Sequence, residues 1–210
     1  MWILLTIFAT SFVIALSGAL MPGPLLTITL SESARRGFIA GPLIVCGHGI
    51  LELLLVLLLL LGLAPVLNND HVIGSVGLVG AVVLIWMAVG MIRTLPSLTL
   101  QGETASNQGT HPVWAGILMS LANPYWTIWW ATIGLGYILY SLKFGLLGVI
   151  AFFIGHLLAD LAWYAAVSFT VARGRRFMND RLYRGILAFC AAALLGFGIY
   201  FGLAGAQRFI

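Results

Sequence analysis

Four stretches of this chain contain no Asp, Glu, Lys, Arg or His: residues 1–31, 72–92, 112–142 and 185–207. Each exceeds the roughly 18 apolar residues that mark a membrane-crossing helix. Two more stretches, 38–66 and 144–172, are interrupted only by a histidine and a carboxylate apiece. In hydrocarbon each backbone N–H and C=O must find a partner within the chain, a demand that helices meet unaided. The sequence therefore predicts an all-α polytopic membrane protein. Its six transmembrane helices are expected over 3–30, 38–66, 72–93, 113–139, 144–172 and 185–206.

Composition agrees, with 61% of residues hydrophobic and 8% charged, against about 25% charged in a typical soluble domain. The longest polar stretch, residues 96–112, is a linker too polar to bury a core. It separates a first three-helix unit, 1–95, from a second, 113–210. The first apolar run lacks a basic leader and continues past Pro24 to Leu30. It is expected to stay as a helix rather than leave as a signal peptide.

An isoelectric point near 9.4 invites a nucleic-acid partner, but topology accounts for the charge. Eight of the ten Lys and Arg residues (Arg35, Arg36, Arg93, Arg173, Arg175, Arg176, Arg181 and Arg184) fall after or beside odd-numbered helices. The opposite side has Lys143 and Arg208. The positive-inside rule then expects both termini outside, with lipid and a small-molecule substrate as partners and no nucleic acid. Cys46 and Cys190 sit in different helices with no Cys-x-x-Cys, which favours inert packing over thiol chemistry.

The two interrupted helices carry matching motifs, Gly47-His48-x-x-x-Glu52 and Gly155-His156-x-x-x-Asp160, 108 positions apart. The same shift superposes Gly37 on Gly145, Gly77 on Gly185, and Gly90 on Gly198. Each half has an odd number of crossings, so a duplicated second half enters the membrane upside down. An inverted 3+3 repeat is a recurring plan of secondary transporters, with the site between the repeats.

Ionisable groups at membrane depth are costly, which makes His48, Glu52, His156 and Asp160 functional candidates. Positions i and i+4 share a helix face, so each histidine stands beside its carboxylate. Burial penalises the charged form of both groups, and such a pair can exchange a proton. Four such groups could also ligate a divalent transition metal. The bland alternative is a hydrogen bond that fastens two helices.

Helices 1 and 4 are expected to be broken, at Met21-Pro22-Gly23-Pro24 and at Asn123-Pro124. The prolines remove N–H donors and are expected to free the carbonyls of Gly18, Leu20 and Ser120. The half-helix N-termini could hold a substrate carboxylate and the carbonyls an ammonium. Counted from Trp2, the first break lies ~30 Å along its helix, nearer the cytoplasmic mouth than the midplane. Trp126, Trp129 and Trp130 follow the second break, as packing or as a cation–π face. Gly37-x-x-x-Gly41 and Gly198-x-x-x-Gly202 permit close helix approach, within the chain or in a homodimer. The arginines from Arg173 to Arg184 serve as a topology anchor or hold anionic lipid.

Pro22-Gly23-Pro24, Arg35-Arg36-Gly37, Glu52, Gly62-Leu63, Asn123-Pro124 and Asp160-x-x-Trp163 together resemble the lysine exporter (LysE/RhtB) family over nearly the whole chain. The resemblance implies an exporter of amino acids or related metabolites in a prokaryotic inner membrane, with no enzymatic activity and no cofactor. The family pattern has Asn after the first motif and a basic residue after the second; here Leu25 and Tyr125 stand there, and both histidines are additions. With no nucleotide-binding motif in the chain, the function expected is that of a secondary, proton-coupled exporter of small amino acids or related zwitterions, working by alternating access. Pro22, Gly23, Pro24, Asn123, Pro124, Trp126 and Trp130 are expected at the substrate. The alternative is a divalent-metal exporter using His48, Glu52, His156 and Asp160.

Overall fold

The computed structural model describes residues 1–63, 66, 69–97, 110–174 and 179–209. Most of the 96–112 linker, together with Arg175 and Arg176, lies outside the described residues. The helices are α1 (Trp2–Ala19), α2 (Pro24–Arg36), α3 (Ala40–Leu58), α4 (Asp70–Thr94), α5 (Pro112–Leu121), α6 (Pro124–Trp129), α7 (Leu135–Leu142), α8 (Gly145–Gly174) and α9 (Asp180–Ala206). A wide π turn, Trp130–Gly134, joins α6 to α7. No strand occurs among the described residues.

Helix boundaries follow local chemistry. Pro24, Pro112 and Pro124 stand in the first turns of α2, α5 and α6, where no N–H donor is missed. Asn69 and Asn179 cap α4 and α9 through their side-chain oxygens. That cap starts α9 five residues before the expected position 185, because it reaches past the apolar run into the charged turn. The tight turns entering α3 and α8 rest on Gly37 (φ 79°) and Gly145 (φ 72°), a conformation that side chains disfavour. These two glycines are partners under the 108-residue shift.

Five stretches are long and apolar enough to cross a membrane: Trp2–Ala19, Ala40–Gly62, Asp70–Ser97, Gly145–Gly174 and Asp180–Phe209. The chain is thus a helical, multi-pass membrane protein. The expected helix over 113–139 is cut at Asn123, which leaves α5 as a shorter apolar helix. The expected first helix is likewise cut into α1 and α2.

Two long helices, α3 and α8, lie against each other at the centre. On α3 packs α5, and on α8 packs α1; α4 and α9 pair mainly with one another. These approaches are made by backbone. A Cβ on Gly47 would strike the Val113 carbonyl of α5, and one on Gly155 would strike the Phe8 carbonyl of α1. Gly41 meets Tyr164 and Ser168 of α8, while Gly198 and Gly202 meet Ile85 and Ala81 of α4. Gly41, Gly198 and Gly202 therefore serve contacts inside the chain, whereas a Cβ on Gly37 would meet nothing within 4 Å. Interhelical hydrogen bonds add to the seams: Ser33 to Ser168 at 2.6 Å, and Ser11 to the Phe152 carbonyl at 3.0 Å. Such bonds stabilise by roughly 0.6 kcal/mol on average in a membrane protein.

Ala34, Val171, Tyr183 and Leu187 form one apolar cluster, flanked by Met91 and Leu95. It gathers the C-terminal ends of α2, α4 and α8 with the start of α9. The basic residues at those helix ends are accordingly collected at one end of the bundle.

Candidate functional site

On α8 a stride of four places Phe152, His156, Asp160, Tyr164 and Ser168 on one buried face. On α3 the matching face presents Gly41, Val45, His48, Glu52 and Val56. The two faces meet, and both His/carboxylate pairs become one cluster. Nε2 of His48 and Nε2 of His156 each lie 3.0 Å from Oε1 of Glu52. The same nitrogens lie 3.7 and 3.4 Å from Oδ2 of Asp160. All four side chains are at most 6% exposed.

Hydrogen-bond logic fixes part of the protonation. Ser120 Oγ lies 2.7 Å from the Gly116 carbonyl, which can only accept. Its single proton is used there, so Nδ1 of His48, 2.6 Å away, must donate to Ser120 for both contacts to be hydrogen bonds. A neutral His48 then has a bare Nε2 facing Glu52. Their 3.0 Å contact holds a hydrogen bond only with a proton on the imidazole or the carboxyl. The indole N–H groups of Trp126 and Trp130 also donate to Oε1 of Glu52, at 3.2 and 2.9 Å. Oε2 of Glu52, Oδ2 of Asp160 and Nδ1 of His156 are buried without a hydrogen bond. Buried polar atoms are rarely left so, and these three leave the cluster with hydrogen-bonding capacity that no described neighbour uses.

A cavity with about 40 Å³ of free space adjoins the cluster. Gly23, Asn123 and Trp126 line it together with all four ionisable groups, Ser120, Tyr125, Trp129 and Tyr164. The first helix break therefore reaches the same cavity as Glu52, because the chain turns at Met21–Gly23 instead of continuing as one rod. The two breaks also face each other, with Asn123 Nδ2 3.6 Å from where a Cβ on Gly23 would be. Asn123 spends its carbonyl oxygen on the Tyr125 N–H, which caps α6.

Other expectations change. The Gly18 and Ser120 carbonyls are not free: Met21 N–H and Asn123 N–H close a turn onto them, each at 3.1 Å. Pro22 and Pro24 line a neighbouring cavity with Phe197 and Phe201. Pro124 packs on Gly80 of α4. Trp129 packs against the His156 ring at 4.9 Å between centroids. Sequence reasoning missed the Ser120 hydroxyl and Tyr164. Tyr164 was within reach, as the next i+4 position after Asp160. Ser120 has no such signal, since its partner His48 lies 72 residues away.

The helical fold, the broken first and fourth segments and this central cluster define a membrane translocator. The chain matches the LysE type translocators over residues 16–205, and it belongs to that family. It is 30% identical to the chemotactic transduction protein ChpE of Pseudomonas aeruginosa, over 92% of this chain and 96% of that one. It is 25% identical to YcgF of Bacillus subtilis, whose name gives amino acid efflux as a provisional role, over 98% of this chain and 100% of that one. No solved structure matches it. Membership makes the protein a transporter rather than an enzyme.

Proposed function

We propose that the chain is a secondary exporter of small amino acids or related zwitterionic metabolites in the prokaryotic inner membrane, coupled to protons. The observation that carries this reading is the buried cluster between α3 and α8, in a wall shared with both helix breaks. Residues 1–95 and 113–210 act as inverted three-helix repeats joined by 96–112. Helix pairing supports this: α1 on α8 mirrors α5 on α3, while α3–α8 and α4–α9 join equivalent helices. The N-terminus of α2 at Pro22-Gly23-Pro24 and the Asn123-Pro124 break receive the substrate's polar ends. Trp126 and Trp130 wall the place where its ammonium meets Glu52. Glu52 and Asp160 carry the coupling proton, tuned by His48 and His156.

The 40 Å³ of free space accommodates roughly three waters. An amino acid needs more room, so loading requires one repeat to rock against the other. Inverted membrane vesicles energised by a proton gradient are expected to accumulate at least one of a panel of labelled amino acids. Accumulation of Mn²⁺ or Ni²⁺ and of no amino acid would transfer the cargo to metals.

The collection of basic residues at one end of the bundle supports a topology with both termini outside. In a Cys46→Ser, Cys190→Ala background, a cysteine at Gln207 is expected to react with an impermeant reagent applied to intact cells. Cysteines at Ser97 or Asn179 are expected to be protected. The reverse pattern would invert the topology.

A further inference from the structure

Four buried ligand atoms meet between α3 and α8: Nε2 of His48 and His156, Oε1 of Glu52 and Oδ2 of Asp160, all within 4.8 Å of one another. Their four nitrogen–oxygen separations are 3.0, 3.0, 3.4 and 3.7 Å, averaging about 3.3 Å. A tetrahedral Zn²⁺ with nitrogen and oxygen ligands at roughly 2.0–2.1 Å sets every ligand pair roughly 3.3–3.4 Å apart. The nitrogen–oxygen pairs already average that, and the nitrogen–nitrogen and oxygen–oxygen pairs, within 4.8 Å, would close onto the ion by side-chain rotation. We infer that this tetrad binds a divalent transition metal, and that Zn²⁺ bound there clamps the exporter in one conformation. The clamping half rests on the proposed export function; the binding half rests on the geometry alone.

Three further features favour the metal. Ser120 holds His48 Nδ1–H as a donor, which leaves the Nε2 lone pair aimed at the other three ligands. Such an outer partner fixes the orientation and tautomer of a metal-bound histidine. Second, Oδ2 of Asp160 is buried without a hydrogen bond, although two imidazoles and a carboxylate crowd around it. Third, two imidazoles with two carboxylates suit Zn²⁺ and its neighbours better than Mg²⁺ or Ca²⁺, which prefer six or more oxygens.

The clamp follows from where the ligands originate. His48 and Glu52 come from α3, His156 and Asp160 from α8. Four-coordinate binding therefore demands that these helices keep their present spacing. A transporter that must rock one repeat against the other would be stopped. Loops rich in His or acidic residues, which would feed a metal exporter, are not found in this sequence. That is why we assign Zn²⁺ the role of inhibitor and not of cargo.

Calorimetry of the purified full-length protein with ZnCl₂ is expected to show one ion per chain. His156→Gln should weaken binding by orders of magnitude. Ser120→Ala, which keeps all four ligands, should weaken it roughly 10- to 100-fold. Replacing His71 and His111 by Ala should leave it unchanged. In vesicles, Zn²⁺ should stop amino-acid export and a chelator should restore it. Absence of stoichiometric binding, or binding lost with His71 and His111 and kept in His156→Gln, would overturn the site. Binding at the tetrad with undiminished export would overturn the clamp. Calorimetry decides the site even if no amino acid proves to be exported, so the two readings fail separately.

Discussion

Glu52→Gln is expected to reduce proton-driven export to the background of empty vesicles while substrate exchange across the membrane stays measurable. The amide keeps the size of the side chain and an oxygen that can accept from Trp126 and Trp130, whose N–H groups now reach Oε1 of Glu52. What it loses is the ability to take up and release a proton. Glu52 is the member of the tetrad nearest both imidazoles, at 3.0 Å from each, so its loss removes the shortest proton path through the cluster. Asp160→Asn should show a similar split between export and exchange if the two halves share the duty. Wild-type export with unchanged pH dependence in both variants would remove the proton relay from the mechanism.

Gly47→Leu and Gly155→Leu are expected to have the largest structural effects. At each position the first added atom meets a neighbouring helix's backbone, at Val113 and Phe8 respectively. Backbone cannot rotate out of the way as a side chain can. The helix must move, and α5 or α1 would be pushed away from the tetrad it encloses. Overpacking costs about 1–3 kcal/mol and occasionally more; displacement of a whole helix belongs at the upper end. Melting in detergent should drop sharply and yield should fall. Gly136→Leu is the control, because its Cβ would meet nothing within 4 Å. Equal melting temperatures for Gly136→Leu and Gly47→Leu would mean that the α3–α5 seam is looser than described.

The parts of this structure legible in the sequence are those set by spacing along one helix. Apolar runs located five stretches long enough to cross a membrane, and prolines located both breaks. The i, i+4 relation placed each histidine with its own carboxylate. Partners across helices were not legible. Nothing in the spacing of Trp126 and Trp130 says that both indoles converge on Glu52, 74 and 78 residues away. The carbonyls of Gly18 and Ser120 were expected to be free because a proline removes a donor, yet the chain turned and supplied an N–H three residues on. The first break was expected nearer one mouth than the midplane; that Gly23 lines the same cavity as Glu52 is a relation between helices that counting along one of them does not show.

The seams of this protein have a bearing on how its cargo could be altered. Gly41, Gly47, Gly116 and Gly155 set the helix spacing around the cavity by having no side chain at all. A joint of that kind has little to vary, since any addition is a collision. Variation is left to the cavity wall, and there Leu25, Tyr125 and Tyr164 stand beside the tetrad without being part of it. An effort to redirect the transporter toward a different metabolite thus has a short address, headed by Tyr125, because Leu25 and Tyr164 also pack in the buried core that keeps the protein folded.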